Sequence, residues 1–398
     1  MTATCDVVVI GGGMIGAAIA YELGLQGLSC QLIERRHVAS GASGANMGLI
    51  ELQDVQIGPM LPLTLQGFQR MAGLEAELDH DLEYQPHGTL LLLQDEADVV
   101  RSMARRRALN DAGIPMTFVP PERIRELEPA VRRDRLAGAL YLDEAQMNPL
   151  LLVHGMVDRA RQGGAIVRTG CQVRGLVESG GMVRGVQLAD ETISCGAVVL
   201  ATAAWTNELL EPLGLSLPLW VMKGQAAITE PIPPLLHNFV GLAFSRRAEL
   251  ERRTVQRGWG ALVADPGSAP VVTTPAATQT RHGGLILGQV SAIVPFPDEE
   301  IIEPGLSSLA AVITDVFPGL GRTAVVRSWA SPVPFTVDHE PIIGPLPGHA
   351  NLFVACGFKS AMVVAPTMGN LIASWLASGR MPAQLGPFTA HRFEASKG

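Results

Sequence analysis

The chain has 398 residues, room for two to three domains at about 150 residues each, and its 47% apolar and 17% charged composition excludes a disordered chain. A net charge of −8 makes a nucleic-acid surface a poor reading. The five cysteines are odd in number, scattered and free of any CxxC pair, so they fit neither a disulfide framework nor a zinc site and point to a reducing compartment.

The first apolar stretch, 7–20, lacks a basic leader and a small-residue cleavage site, so it is not read as a signal peptide. No run approaches about 18 uninterrupted apolar residues, so no transmembrane segment is expected. The expected location is the cytoplasm, with peripheral membrane association through a complex as the alternative.

In chain order, the β-branched run 6–10 predicts a strand buried on both faces. Gly11 to Gly13 make a turn, and Ile15, Ala18, Ile19 and Leu23 form one stripe of a helix over 14–25. Residues 29–34 (SCQLIE) read as a second, parallel strand, which completes a βαβ unit about 30 residues long. Helical segments near 62–80 and 96–112 flank a strand at 88–94. The basic run 101–107 (RSMARRR) reads as a solvated helix face. Strands follow within 164–177 and 185–188, then a buried strand at 194–202 and a helix at 207–213. From 216 to 330 strands dominate, broken by PIPP at 231–234 and DPGSAP at 265–270; the arginine-rich segment 246–257 reads as another solvent face. A strand at 351–356 and a helix at 363–378, stopped by Gly379, close the chain. The α/β character is thus concentrated in three separated parts. That predicts a dinucleotide-binding domain from 1–50, 145–215 and 330–398, and a substrate domain from 51–144 and 216–329.

Gly11-Gly12-Gly13-Met14-Ile15-Gly16 is G-x-G-x-x-G between a strand and a helix. Gly11 permits the sharp turn, Gly13 lets backbone N–H groups approach a pyrophosphate, and Gly16 lets helix and strand pack closely. Glu34 closes the second strand at the distance expected of a carboxylate that accepts ribose hydroxyls. This motif alone leaves FAD and NAD open. The loop Ser40-Gly41-Ala42-Ser43-Gly44-Ala45-Asn46-Met47-Gly48 tips the reading, because a backbone free of bulk suits a large planar cofactor lying against it.

These segments, with HGTLLLL at 87–93, LATAAWTNELLEPLG at 200–214, KGQ at 223–225, RSWASPVPFTVDHEPIIGPLP at 327–347 and LFVACGFKSAMVVAPTMGNLIA at 352–373, resemble the glycine oxidase/D-amino-acid oxidase family of FAD-dependent oxidoreductases over nearly the whole chain. The resemblance implies an α/β fold: a Rossmann-type FAD-binding domain with an inserted β-sheet-rich α+β substrate domain. It implies non-covalent FAD held at Gly11, Gly13, Met14, Ile15, Gly16, Glu34 and Arg35. It further places Ala42, Ser43, Asn46, Met47, Gly48 and Leu49 along pyrophosphate and flavin, Val173 at the adenine, and Thr202 and Trp205 near the cofactor. Gly357, Phe358, Ser360, Ala361 and Met362 would pass the isoalloxazine ring.

Two departures stand out. Ala203 replaces a glycine of the family's A-x-G-x-W, a small change. In the family's W-A-G-L-R-P segment this chain reads Trp329-Ala330-Ser331-Pro332-Val333-Pro334, so Val333 stands where the substrate-carboxylate arginine is expected. Valine supplies none of the bidentate guanidinium contact. Lys359 is the substitute cation, with a surface lysine on a βα loop as the other reading.

With only Tyr21, Tyr84 and Tyr141, no tyrosine lid is expected. His339 reads as an exposed turn residue, and His87 is left between site wall and satisfied structural residue. Neither has metal-ligand spacing. The 40–48 loop has no anchor for covalent flavin, which leaves Cys356 as the one candidate.

The resemblance implies oxidation of a carboxylated secondary amine or amino acid of opine, D-hydroxyproline, proline or sarcosine type. Hydride passes to the flavin and the imine hydrolyses. The chain would work as a dehydrogenase subunit with partner subunits that accept electrons. The alternatives are a stand-alone glycine or D-amino-acid oxidase that releases peroxide, a flavin-binding subunit with a vestigial substrate site, and a 2-hydroxy-acid dehydrogenase.

Overall fold

The computed structural model describes residues 4–132, 134–243, 250–254 and 270–393. The β-branched run at the start forms the strand Thr4–Ile10, whose Val7 to Ile10 are all buried. It lies parallel between Cys30–Ile33 and Thr192–Leu200. The sheet continues with Ile166–Arg168 beyond the second strand, and with His349–Cys356 and antiparallel Ile342–Leu346 on the other side. The β-hairpin Gly175–Ser179 and Met182–Gln187 adds to it, Met182–Gln187 pairing antiparallel with both Gly175–Ser179 and Thr192–Leu200.

One face of this sheet is covered by the helices Met14–Leu25, Pro149–Gln162 and Ala361–Ser378, which share a single apolar core. Helix Ala361–Ser378 is long and apolar enough to cross a membrane by composition, but most of it is buried. A Cβ on its Gly369 would lie 2.7 Å from the Ala18 backbone. That close crossing is how the helix packs against Met14–Leu25, as a core helix does.

The second large sheet runs in the order Val325–Thr336, Leu219–Thr229, Leu285–Val294, Val272–Gln279, Phe239–Leu242, Gly88–Leu93, Gly138–Asp143 and Thr117–Val119. Its strands are antiparallel except for the parallel pair Phe239–Leu242 and Gly88–Leu93. Strand alternation splits its side chains cleanly. Leu90, Leu92, Ala227 and Val290 pack under helix Glu303–Val316, while Leu91 and Phe239 face the other way. The short pair Leu49–Ile50 and Ala145–Gln146 links the two halves.

The expected boundary at 330 falls inside a strand. Val325–Thr336 belongs wholly to the second sheet, pairing through Thr336 with Leu219. Pro332 and Pro334 are tolerated in it because this is an edge strand, the place in a sheet where proline is found. The helix expected over 62–80 is two, Leu61–Met71 and Leu74–Leu78, parted at Gly73. The stretch 40–48, expected as a loop, holds one turn of helix, Ala42–Ala45. Of the arginine-rich 246–257, only residues 250–254 are described; most of DPGSAP also lies outside the described residues.

Candidate active site

A cavity of about 940 Å³ runs from the carboxyl ends of the parallel strands to the open face of the second sheet. This is the upper range of ligand cavities, at the position where open α/β sheets bind ligands. Ile10, Ile33, Ala201 and Cys356, at or beside the ends of four parallel strands, line it.

The glycine turn is shaped by close approach. Gly11 has φ +110°, and a Cβ there would sit 2.4 Å from the Ala201 carbonyl oxygen; on Gly16 it would meet the Gly11 oxygen at 1.9 Å. Glu34 pins the turn, accepting from the Gly12 N–H at 2.9 Å and the Arg36 N–H at 2.8 Å. Ser43 Oγ accepts from the Met14 N–H at 2.8 Å, bringing the 40–48 segment against the helix start. Asn46 stabilises that segment, donating to the Ser43 carbonyl and accepting from the Gly48 N–H. The Arg35 guanidinium lies 4.1 Å from the Trp205 ring centre, a cation–π contact. Arg36 holds Glu299 with two nitrogens.

At the far end, helix Ala361–Ser378 begins with no side-chain cap, and Lys359, Ser360, Ala361 and Met362 line the cavity. Its orphan N–H groups and the positive end of its dipole therefore open onto the cavity wall. Trp329 Nε1 donates to the Ala45 carbonyl at 2.8 Å, tying the second sheet to the 40–48 segment.

The sheet face over this end is mainly apolar: Met222, Val333, Phe239, Leu91 and Ala276, with Met47 and Leu49 beside them. At the rim, Lys359 is not a lone cation. Its Nζ is 3.1 Å from Asp54 and 3.4 Å from the buried Glu251. Ser360 Oγ donates to Glu51 at 3.2 Å. The 52–53 turn that presents Asp54 is held from behind by buried Glu144, which accepts from the Leu52 and Gln53 N–H groups and from the Thr89 hydroxyl. Burial pushes the Glu144 carboxyl up to about 7.

The fingerprint and carried-over residues converge on this one cavity: Gly11, Gly13, Met14, Ile15, Glu34, Arg35, Ala42, Ser43, Asn46, Met47, Leu49, Val173, Thr202, Trp205, Gly357, Phe358, Ser360, Ala361, Met362 and Lys359 all line it. Gly16 and Gly48 are not among its lining. Gly16 serves helix–strand packing, and Gly48, at φ +81°, lets the chain pass 2.4 Å (from a built Cβ) beside the Met147 carbonyl.

Two arginines assigned to solvent faces, Arg101 and Arg252, are exposed as expected and also line the cavity. A helical charge run gives no clue to which fold surface it meets. Arg105 of the same run donates to the Gln53 and Val55 carbonyls, anchoring the loop that carries Asp54. His339, expected to be exposed, is half-buried at φ +62° and packs edge-on to Trp220. His87 is structural: its ring nitrogens meet the His237 carbonyl at 2.9 Å and Gln85 Oε1 at 3.1 Å.

The glycine turn, the uncapped start of helix Ala361–Ser378 and the long cavity fit a dinucleotide with a large planar ring, and together define a cofactor-dependent oxidoreductase. The family described as FAD dependent oxidoreductase (DAO) matches residues 6–375. Glycine oxidase of Geobacillus kaustophilus (strain HTA426) is 26% identical over 98% of both chains. Its crystal structure superposes with a TM-score of 0.84, covering 98% of this chain and 99% of that one. Sarcosine oxidase subunit beta of Arthrobacter sp. is 28% identical, covering 98% of this chain and 91% of the relative. L-proline dehydrogenase from P. horikoshii, 24% identical with a TM-score of 0.83 over 100% of this chain and 99% of that one, shares the fold. The chain belongs to the DAO family of FAD-dependent oxidoreductases.

Proposed function

We propose that the chain oxidises a carboxylated secondary amine or amino acid, of opine, D-hydroxyproline, proline or sarcosine type, at the sheet-face end of this cavity. Bound FAD supplies the hydride acceptor. The chain's own residues do the rest. Met47, Leu49, Leu91, Phe239, Met222 and Val333 exclude water from the reacting carbon and favour the neutral amine, because desolvation disfavours its charged form. The uncapped start of helix Ala361–Ser378 stabilises negative charge that develops beside it, and this single observation carries the reading. No side-chain base is required once the amine is neutral.

Lys359 is our candidate for the substrate carboxylate, a rim cation shared with Asp54 and Glu251. The likeness to a sarcosine oxidase subunit supports a working form with partner subunits, to which we assign the electron-accepting role. Five free cysteines support a reducing, cytoplasmic setting.

The test is anaerobic bleaching of the flavin with opines, cyclic imino acids, N-methyl amino acids and D-amino acids. Bleaching by carboxylated amines supports the proposal; an unchanged spectrum with every member favours a vestigial site. Peroxide release by the isolated chain favours the stand-alone oxidase, and dye reduction without peroxide the dehydrogenase subunit. Lys359→Ala is expected to weaken carboxylated substrates by about 1.5 kcal/mol while leaving a carboxylate-free amine unaffected. Equal affinity for both removes Lys359 from substrate binding.

A further inference from the structure

Within the apolar sheet face lies a small polar patch that the reading above does not use. Gly224 is paired directly with Ser331 on one side and Ser291 on the other. Residues directly opposite in antiparallel strands share a face, so both hydroxyls flank the gap that Gly224 leaves. Gln289 leans into that gap: a Cβ on Gly224 would meet its Nε2 at 3.1 Å. Thr274 lies in the irregular stretch between Thr273 and Ala276 on the next strand, and lines the same cavity with Ser331, Gly224 and Gln289.

Ser331 is 4% exposed and Ser291 0%. Among the described residues, Ser331 Oγ, Ser291 Oγ and Thr274 Oγ1 are buried and without a hydrogen-bond partner. Buried hydroxyls are normally satisfied, and each unmade bond is a standing penalty. Ser331 beside Gly224 and Thr274 two strands away both line the ligand cavity, with Gln289 on the strand between them, and mark a place where a ligand group completes the set.

The chemistry of that group follows from the neighbours. Met222, Val333 and Ile293 flank the patch on one side and Ala226 and Trp329 on the other. The nearest charge on the central strand, Lys223, points to the opposite face and pairs with Asp298. The side chains that flank the patch most closely are apolar, and a hydroxyl both donates and accepts, as these partners require.

We propose that the cavity-lining patch of Ser331, Gln289 and Thr274, beside Gly224 and across the next two strands, selects amine substrates that carry a hydroxyl group. The inference rests on the proposed amine oxidation and names its substrate class more closely. A site built to hydrogen-bond a substrate hydroxyl rejects the analogue that lacks it, because its own polar groups are then left unpaired.

The experiment uses the FAD-loaded protein under anaerobic conditions, with both enantiomers of proline against their 4-hydroxy derivatives, and of N-methylalanine against N-methylserine. Dissociation constants are read from perturbation of the visible flavin spectrum, and turnover from bleaching. In at least one series the hydroxylated member is expected to bind roughly 10- to 100-fold more tightly. That gap should close in Ser331→Ala and in Thr274→Val, and return in Ser331→Thr. Flavin content of each variant reports folding, and the wild-type ratio alone decides the matter if a variant fails to load. Bleaching by both members with equal affinity overturns the inference, since water then satisfies these hydroxyls, but leaves the amine oxidation standing. A gap that persists in both variants also overturns it. If no probe of either series perturbs or bleaches the flavin, the amine reading falls and this inference falls with it.

Discussion

Glu144 shows how one buried side chain reports on the site without touching it. Its carboxyl receives the Leu52 and Gln53 N–H groups and the Thr89 hydroxyl, and burial, reinforced by nearby Glu51, raises it from 4.5 to about 7. Between those two values the folded chain binds more protons than the unfolded one. This contribution to stability is therefore complete below about pH 4.5 and is lost as the pH rises through 7. Glu144→Gln mimics the protonated form, so urea unfolding of the variant should lose that part of the pH slope, on the order of 3 kcal/mol between the limits. An unchanged slope would mean that Glu144 is ionised in the fold. Cys356 carries a related expectation. Burial pushes its thiol up to about 12, so no thiolate is present to bond a flavin at neutral pH. Denaturation should release the flavin to the filtrate, and Cys356→Ser should retain it before denaturation. Flavin that stays with the denatured chain would contradict non-covalent binding.

The elements of the cofactor end were legible because local and tertiary demands agree there. A β-branched run, three glycines and an apolar stripe can satisfy a buried parallel strand, a tight turn and a core helix at once. The close crossing of Gly369 on Ala18 is different, since nothing in GNLIA says what the glycine faces. A Cβ there would come within 2.7 Å of the Ala18 backbone, so Gly369→Ala should force the two helices apart and lower stability by about 1–3 kcal/mol in urea unfolding. A neutral result would show that the helices can shift freely. The edge strand Val325–Thr336 was misplaced for the opposite reason. Its prolines argue locally for a break, and only its position at the rim of the sheet makes them harmless.

For the molecule as a whole, the cavity belongs to the folded state alone, since its lining comes from segments as distant as Gly11, Ser43, Val173, Trp205 and Met362. Added FAD should stabilise the chain by about 2.7 kcal/mol at a hundredfold excess over its dissociation constant, seen as a concentration-dependent rise in Tm. A midpoint indifferent to FAD would show that this cavity does not take it. The same dispersion explains what stayed hidden at the substrate end. Lys359, Asp54 and Glu251 are far apart in the chain, and no spacing rule brings them together.

Local backbone chemistry thus determined the dinucleotide end from sequence: a glycine turn admits few conformations, and its meaning travels with the residues themselves. Val333 was equally visible as an apolar residue where the resemblance leads one to expect an arginine. What Lys359 is paired with, that Arg101 and Arg252 line the cavity, and that Ser331 and Ser291 flank the side-chain-free Gly224 were decided only by sheet register and packing. Those depend on which strands meet. A strand's own sequence says which side chains alternate, but not what stands across from them.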